Sequence, residues 1–170
     1  GGILVDNGSH QVDQFLTIAD LTAADVAVVT AAVGNDESTH QPAMKQVASK
    51  TLAGPEVVSD HRLDYHTAKG RGTWGDCSLT IVGVDGTIEA RANVDIAGAE
   101  GAEHLIVVDG DGTRRVDISD VVVDWGEQLI ADLADAGERL MTQQHAIDVT
   151  DVCLRAQAAA GSWGLAGSAS

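Results

Sequence analysis

Asp6 and His10 are the first residues of the chain whose types and spacing suit chemistry. On a helix that begins near Asp6, a separation of four residues places both side chains on one face. A carboxylate beside an imidazole orients the ring and favours its protonated form. Such a pair suits a base that takes a proton from a hydroxyl while a hydride leaves the same carbon. The spacing alone is common, because a capping Asp followed by a polar surface His gives the same pattern.

Other candidate chemistry is weaker. Gly70-Arg71-Gly72-Thr73-Trp74-Gly75 has the form G-x-G-x-x-G. A dinucleotide loop needs a helix after it, whose N-terminus holds the pyrophosphate. Here Ser78–Val84 follows and reads as a strand, so the segment is expected to be a glycine-rich connection between strands. Trp74 and His66 on such a loop could reach a substrate, since an aromatic face stacks on a sugar's CH surface; Trp74 also suits a core or interface anchor. Asp60, Asp64 and His66 are metal-ligand types, but Arg62 shares their strand face and would repel a cation. No metal site is expected. Asp109-Gly110-Asp111-Gly112 lacks the spaced acids of a calcium loop and reads as a turn. His40, His104 and His145 look isolated, as surface or satisfied core histidines. Cys77 and Cys153 form neither a disulfide framework nor a zinc site. Cys153 falls on an apolar helix face, and a reducing, cytoplasmic setting is expected. No Gly-x-Ser-x-Gly elbow or cysteine nucleophile context is present.

The elements that must position these residues follow from periodicity. Ser9, Val12, Phe15, Leu16 and Ala19 recur at helical spacing across 7–19, with Asp6 or Asn7 as cap. Residues 26–33 and 47–52 read as strands. Residues 57–66 alternate, with Asp60, Arg62, Asp64 and His66 on one face and His61, Leu63 and Tyr65 on the other. Ser78–Val84 and Thr87–Ala92 flank Asp85-Gly86 as a hairpin. A second hairpin pairs His104–Val108 with Thr113–Ile118. Trp125–Arg139 and Thr142–Ala160 read as helices, the latter with Ala146, Val149, Cys153 and Ala156 on one stripe. The expected fold is α+β: a largely antiparallel or mixed open sheet with helices packed on one face. Residues 1–160 are expected to form one domain, and 161–170 a frayed tail.

Composition narrows the partners. The formal net charge is -16. Phosphate contacts need clustered Lys and Arg, so neither a nucleic acid nor an anionic membrane surface is expected as a partner. No apolar run reaches the length of a membrane span. The acidic bias fits either adaptation to high salt or an ordinary acidic protein.

Gly1-Gly2-Ile3-Leu4-Val5-Asp6-Asn7-Gly8-Ser9-His10-Gln11-Val12-Asp13 resembles the start of the second domain of the glucose–fructose oxidoreductase/inositol dehydrogenase (Gfo/Idh/MocA) family. That motif is a glycine pair, an apolar strand end, then D-x-G-x-H-x-x-D. Residues 83–91, 123–127, 141–146 and 154–157 support the likeness. The resemblance implies a substrate-side C-terminal domain, with NAD or NADP bound mainly by an N-terminal Rossmann domain outside this chain. That domain would also supply a catalytic lysine. His10 would be the general acid/base, and Asp6 would hold the substrate hydroxyl or orient the ring. Asp13 matches the motif's last acid and suits a substrate contact or a structural role. The implied substrate is a sugar, polyol or related compound. A homodimer or tetramer through the open sheet face is also implied. Alternatives are an NAD-dependent glycosidase of the same family and a non-catalytic oligomerisation or carbohydrate-binding module. The abrupt glycine start reads as a fragment cut at a domain boundary or after proteolysis.

Overall fold

The computed structural model of the protein describes residues 2–34, 47–66, 70, 73, 75–93, 98 and 100–162. Residues 1–65 and 125–170 form one compact unit, and His66–Asp124 a second.

In the first unit, α1 (Asp6–Ala19) opens directly from a turn. The Gly2 carbonyl accepts from the Val5 and Asp6 amides at 2.9 and 3.0 Å. Ile3 and Leu4, expected as a strand end, sit in that turn and are fully buried. Asp20 ends the helix in the left-handed region (φ 53°), its amide returning to the Leu16 carbonyl. A 3-10 turn, Ala23–Asp25, leads into β1 (Ala27–Gly34). β2 (Val47–Ala53) and β3 (Val58–Asp64) pair antiparallel in register, Lys50 opposite both Ala31 and His61. After α2 (Trp125–Asp135) and α3 (Gln143–Ala159), Gly161–Ser162 form a short strand, β8, parallel to β1. Thus the expected frayed tail starts as a sheet edge, and 163–170 lie outside the described residues.

The core of this unit follows from alternation. Val12, Phe15 and Leu16 of α1 and Val149, Val152 and Cys153 of α3 close over Leu52 of β2. Ala48 and Leu63 extend the same sheet face to Ile3 and Leu4. Each of the Val, Leu, Ile and Phe side chains among them stabilises by about 1.5–3 kcal/mol on burial. The other face is polar, with Thr30 bonded to Thr51 and Thr51 to Asp60 across three strands. Arg155 of α3 donates to the Ala23 and Val26 carbonyls, both at 2.6 Å, and so anchors the start of β1.

The second unit is a meander of β4 (Cys77–Gly83), β5 (Gly86–Ala92), β6 (Glu103–Asp109) and β7 (Gly112–Val116). The described strands therefore form two four-stranded sheets where one was expected. A two-residue loop locks neighbouring strands in register; the long connection from Tyr65 to Asp76 does not. The first hairpin loop is Val84–Asp85, one residue earlier than the sequence suggested. Gly86 is required for a different reason: a Cβ there would run into the Val108 carbonyl. Gly112, at φ 115°, supplies the left-handed residue of the second hairpin. Leu79, Ala90, Leu105 and Val116 form one apolar row, and Ile81, Ile88 and Val107 the next. His104 is buried and satisfied. Arg115 donates to its Nδ1, so Nε2 carries the hydrogen donated to the Gly101 carbonyl.

His61, on the helix-facing side of β3, packs edge-on against Phe15 and bonds to Ser59 at 2.6 Å. Burial first, then the nearby Lys50, push its imidazole down to about 4 from 6.5. The unfolded chain therefore takes this proton at higher pH than the folded one. Stability from His61 is complete above pH 6.5 and is lost as pH falls toward 4. Urea unfolding across that window should show a loss of up to about 3 kcal/mol. His61→Gln should remove this part of the acid limb.

Candidate functional site

The exposed stripe of α1 carries Asp6, His10 and Asp13, at helical spacing and opposite the buried Gly8, Val12 and Phe15. Neighbours three and four apart on a helix have Cβ atoms about 5–6 Å apart. His10 is thus framed by a carboxylate one turn before it and another one turn after it.

Each carboxylate is held from a different element. Asp6 accepts a 2.8 Å bond from the Tyr65 hydroxyl, just beyond the end of β3. Asp13 pairs with Nε2 of His145, in the first turn of α3, at 2.6 Å. His145 therefore ties two helices together and is not the isolated histidine expected from sequence. Its own turn is set by Thr142, which accepts from the His145 amide. Ser9 donates to the Asp6 carbonyl at 2.7 Å, which tightens the turn between Asp6 and His10. Asp6 also lies in the helix's first turn, where a negative charge complements the N-terminal dipole.

Tyr65 is the residue that sequence reasoning did not assign to the site. The alternation did place it on the side of His61 and Leu63, which is the side facing α1. What sequence could not show is that the strand ends at Asp64, which frees the next residue to bend to Asp6. Burial first, and then the hydrogen bond to Asp6, push the phenol up to about 12. It stays a donor throughout the neutral range. His66 is exposed, and Trp74 lies outside the described residues. Asp60 accepts from Thr51, and Asp64 pairs with Arg62 at 3.3 Å. Among the described residues no group of three or more His, Cys, Asp or Glu is arranged to hold a metal. No described helix is long and apolar enough to cross a membrane.

No protein-family model and no curated protein matches the sequence. Solved structures do match. A chain from Erwinia carotovora atroseptica, provisionally named an oxidoreductase, is 31% identical with a TM-score of 0.86, over 96% of this chain and 49% of its own. A second provisionally named oxidoreductase, from Thermotoga maritima, is 19% identical with a TM-score of 0.74, over 89% of this chain and 42% of its own. A 3-ketoreductase from Actinomadura kijaniata, solved with TDP-benzene and NADP, shares the fold at 12% identity and a TM-score of 0.64, over 96% of this chain and 49% of its own. The chain thus spans about half the length of these structures, and its α+β fold is that of oxidoreductase domains.

Tyr65 is the only tyrosine, so its ionisation can be read directly by phenol absorbance. The midpoint should lie near 12 in the wild type and fall back toward 10 in Asp6→Asn. Because the folded value is the higher one, the stability this contact gives is complete below pH 10 and lost as pH rises through 12.

Proposed function

We propose that the chain is the substrate-side, C-terminal domain of a nicotinamide-dependent oxidoreductase of the Gfo/Idh/MocA family, acting on a hydroxyl of a sugar, polyol or related small molecule. The observation that carries this reading is His10, exposed on α1 between two tethered carboxylates, in a chain that is 31% identical to a provisionally named oxidoreductase over 96% of its length. The D-x-G-x-H-x-x-D spacing agrees with it. So does the fold shared with a ketoreductase solved with NADP.

In this reading His10 accepts the hydroxyl proton on a ring nitrogen. Asp6, held by Tyr65, fixes the hydroxyl or the ring, and Asp13, held by His145, closes the other side. Fixed partners matter because a general base works only within hydrogen-bond reach of its proton. The two electrons of the carbon–hydrogen bond need an acceptor. The described residues do not form a cradle for one: Gly75 leads into strand β4 and not into a helix whose N-terminus could hold a pyrophosphate. This reading places NAD or NADP on a further domain. Assembly into a dimer or tetramer through a sheet face belongs to the same reading. It is supported by the apolar rows of the second unit, in which Ile88 and Val116 are exposed.

The test uses the protein joined to its nicotinamide-binding half and a panel of sugars and polyols. Turnover should yield reduced cofactor and oxidised substrate in equal amounts, and His10→Ala should lower kcat by about 10²–10⁴-fold. Unchanged turnover in His10→Ala would remove the base assignment. Bond cleavage without net cofactor reduction would point to the glycosidase chemistry.

A further inference from the structure

Lys50 lies at the centre of β2, beneath α1, and is 1% exposed, the largest fully buried side chain described. A lysine at such a position is rare, since an ammonium in an apolar interior loses its hydration. Its Nζ donates to the Gly8 carbonyl at 3.3 Å and to Oε1 of Gln11 at 3.2 Å. Gln11 in turn donates from Nε2 to the Arg62 carbonyl of β3 at 3.0 Å. These hydrogen bonds join β2 to two residues of α1 and, through Gln11, to β3. Gly8 makes this possible, because a Cβ there would lie 3.2 Å from Nζ and 3.3 Å from the Ile3 carbonyl.

The two α1 contacts bracket Ser9 and His10. Hydrophobic contacts alone are non-directional and would let α1 slide or roll on the sheet. A buried ammonium with fixed acceptors is directional, and holding register is the best-attested role of buried polar groups. We propose that Lys50 is a positioning residue that fixes the seat of α1's first turns on the sheet, and with it the placement of Asp6 and His10. This rests on the reading of Asp6 and His10 as the working pair.

The other titratable groups facing Lys50 are His61 from β3 and Cys153 from α3. Burial keeps the imidazole neutral near pH 7 and raises the thiol. Burial also pushes the ammonium itself down to about 8. The bracket should therefore loosen in mildly alkaline solution.

The test compares wild type with Lys50→Met, which keeps the stem and removes the charge. In the wild type, the backbone amides of Gly8, Ser9, His10 and Gln11 should move together in NMR spectra with a midpoint near pH 8. In Lys50→Met that transition should be lost. In the protein carrying its nicotinamide half, kcat should fall at least tenfold with cofactor KM unchanged. A purely structural lysine would instead lower stability and leave kcat alone, and that result overturns the proposal. So does an amide transition that persists in Lys50→Met. If Lys50→Met does not fold, Gln11→Met removes one acceptor and should still displace the His10 amide; an unmoved His10 amide there overturns the proposal. The amide readings do not depend on turnover. A displaced His10 amide together with full activity in His10→Ala would sink the functional reading and leave the positioning role standing.

Discussion

The close approach of α1 to the first sheet at Gly8 is the constraint on which the rest of the arrangement depends. The helix comes near enough there for a buried lysine to reach its backbone. The same approach puts Val12, Phe15 and Leu16 over Leu52 and points Asp6, His10 and Asp13 away from the core. α3 then locks the helix from the side, through Val149, Val152 and Cys153 in the core and the His145–Asp13 pair at its rim. One packing decision serves both the fold and the exposed stripe.

The site's electrostatics follow from how its carboxylates are held. In a chain of formal net charge -16, exposed acids repel one another unless they are given donors. Asp6 receives a phenol and Asp13 an imidazole, each from outside α1. The same device recurs at the end of α2, where Asp132 and Asp135 hold Arg139 at 3.0 and 2.5 Å and Asp132 also accepts the Arg139 and Leu140 amides. There it staples a loop; on α1 it frames a histidine.

Much of the fold could be read from periodicity, because α1, β3 and α3 each have one buried face. The 3.6-residue spacing of Val12, Phe15, Leu16 and Ala19 and the alternation through His61 and Leu63 are direct records of that burial. Other features were not legible. Local pattern does not encode which strands pair across a long connection, and so the strands divide into two sheets. Lys50 looked like any polar strand residue, since nothing in Ser49-Lys50-Thr51 shows which side faces a helix. Tyr65 and His145 were missed as partners for the same reason: both bonds join residues far apart in sequence, at 59 and 132 positions. Gly86 shows a related limit. Its type was informative, but its cause is the approach of β6 and not the turn conformation.

The most direct measurement is chemical-shift mapping of the histidine rings and the Tyr65 ring while the protein, joined to the nicotinamide-binding domain proposed for it, is titrated with a sugar or polyol that the joined protein oxidises. His10 and Tyr65 should shift with the saturation curve of that compound, and His104, enclosed in the second unit, should not. Saturation that leaves His10 and Tyr65 unmoved would contradict the placement of the chemistry on α1.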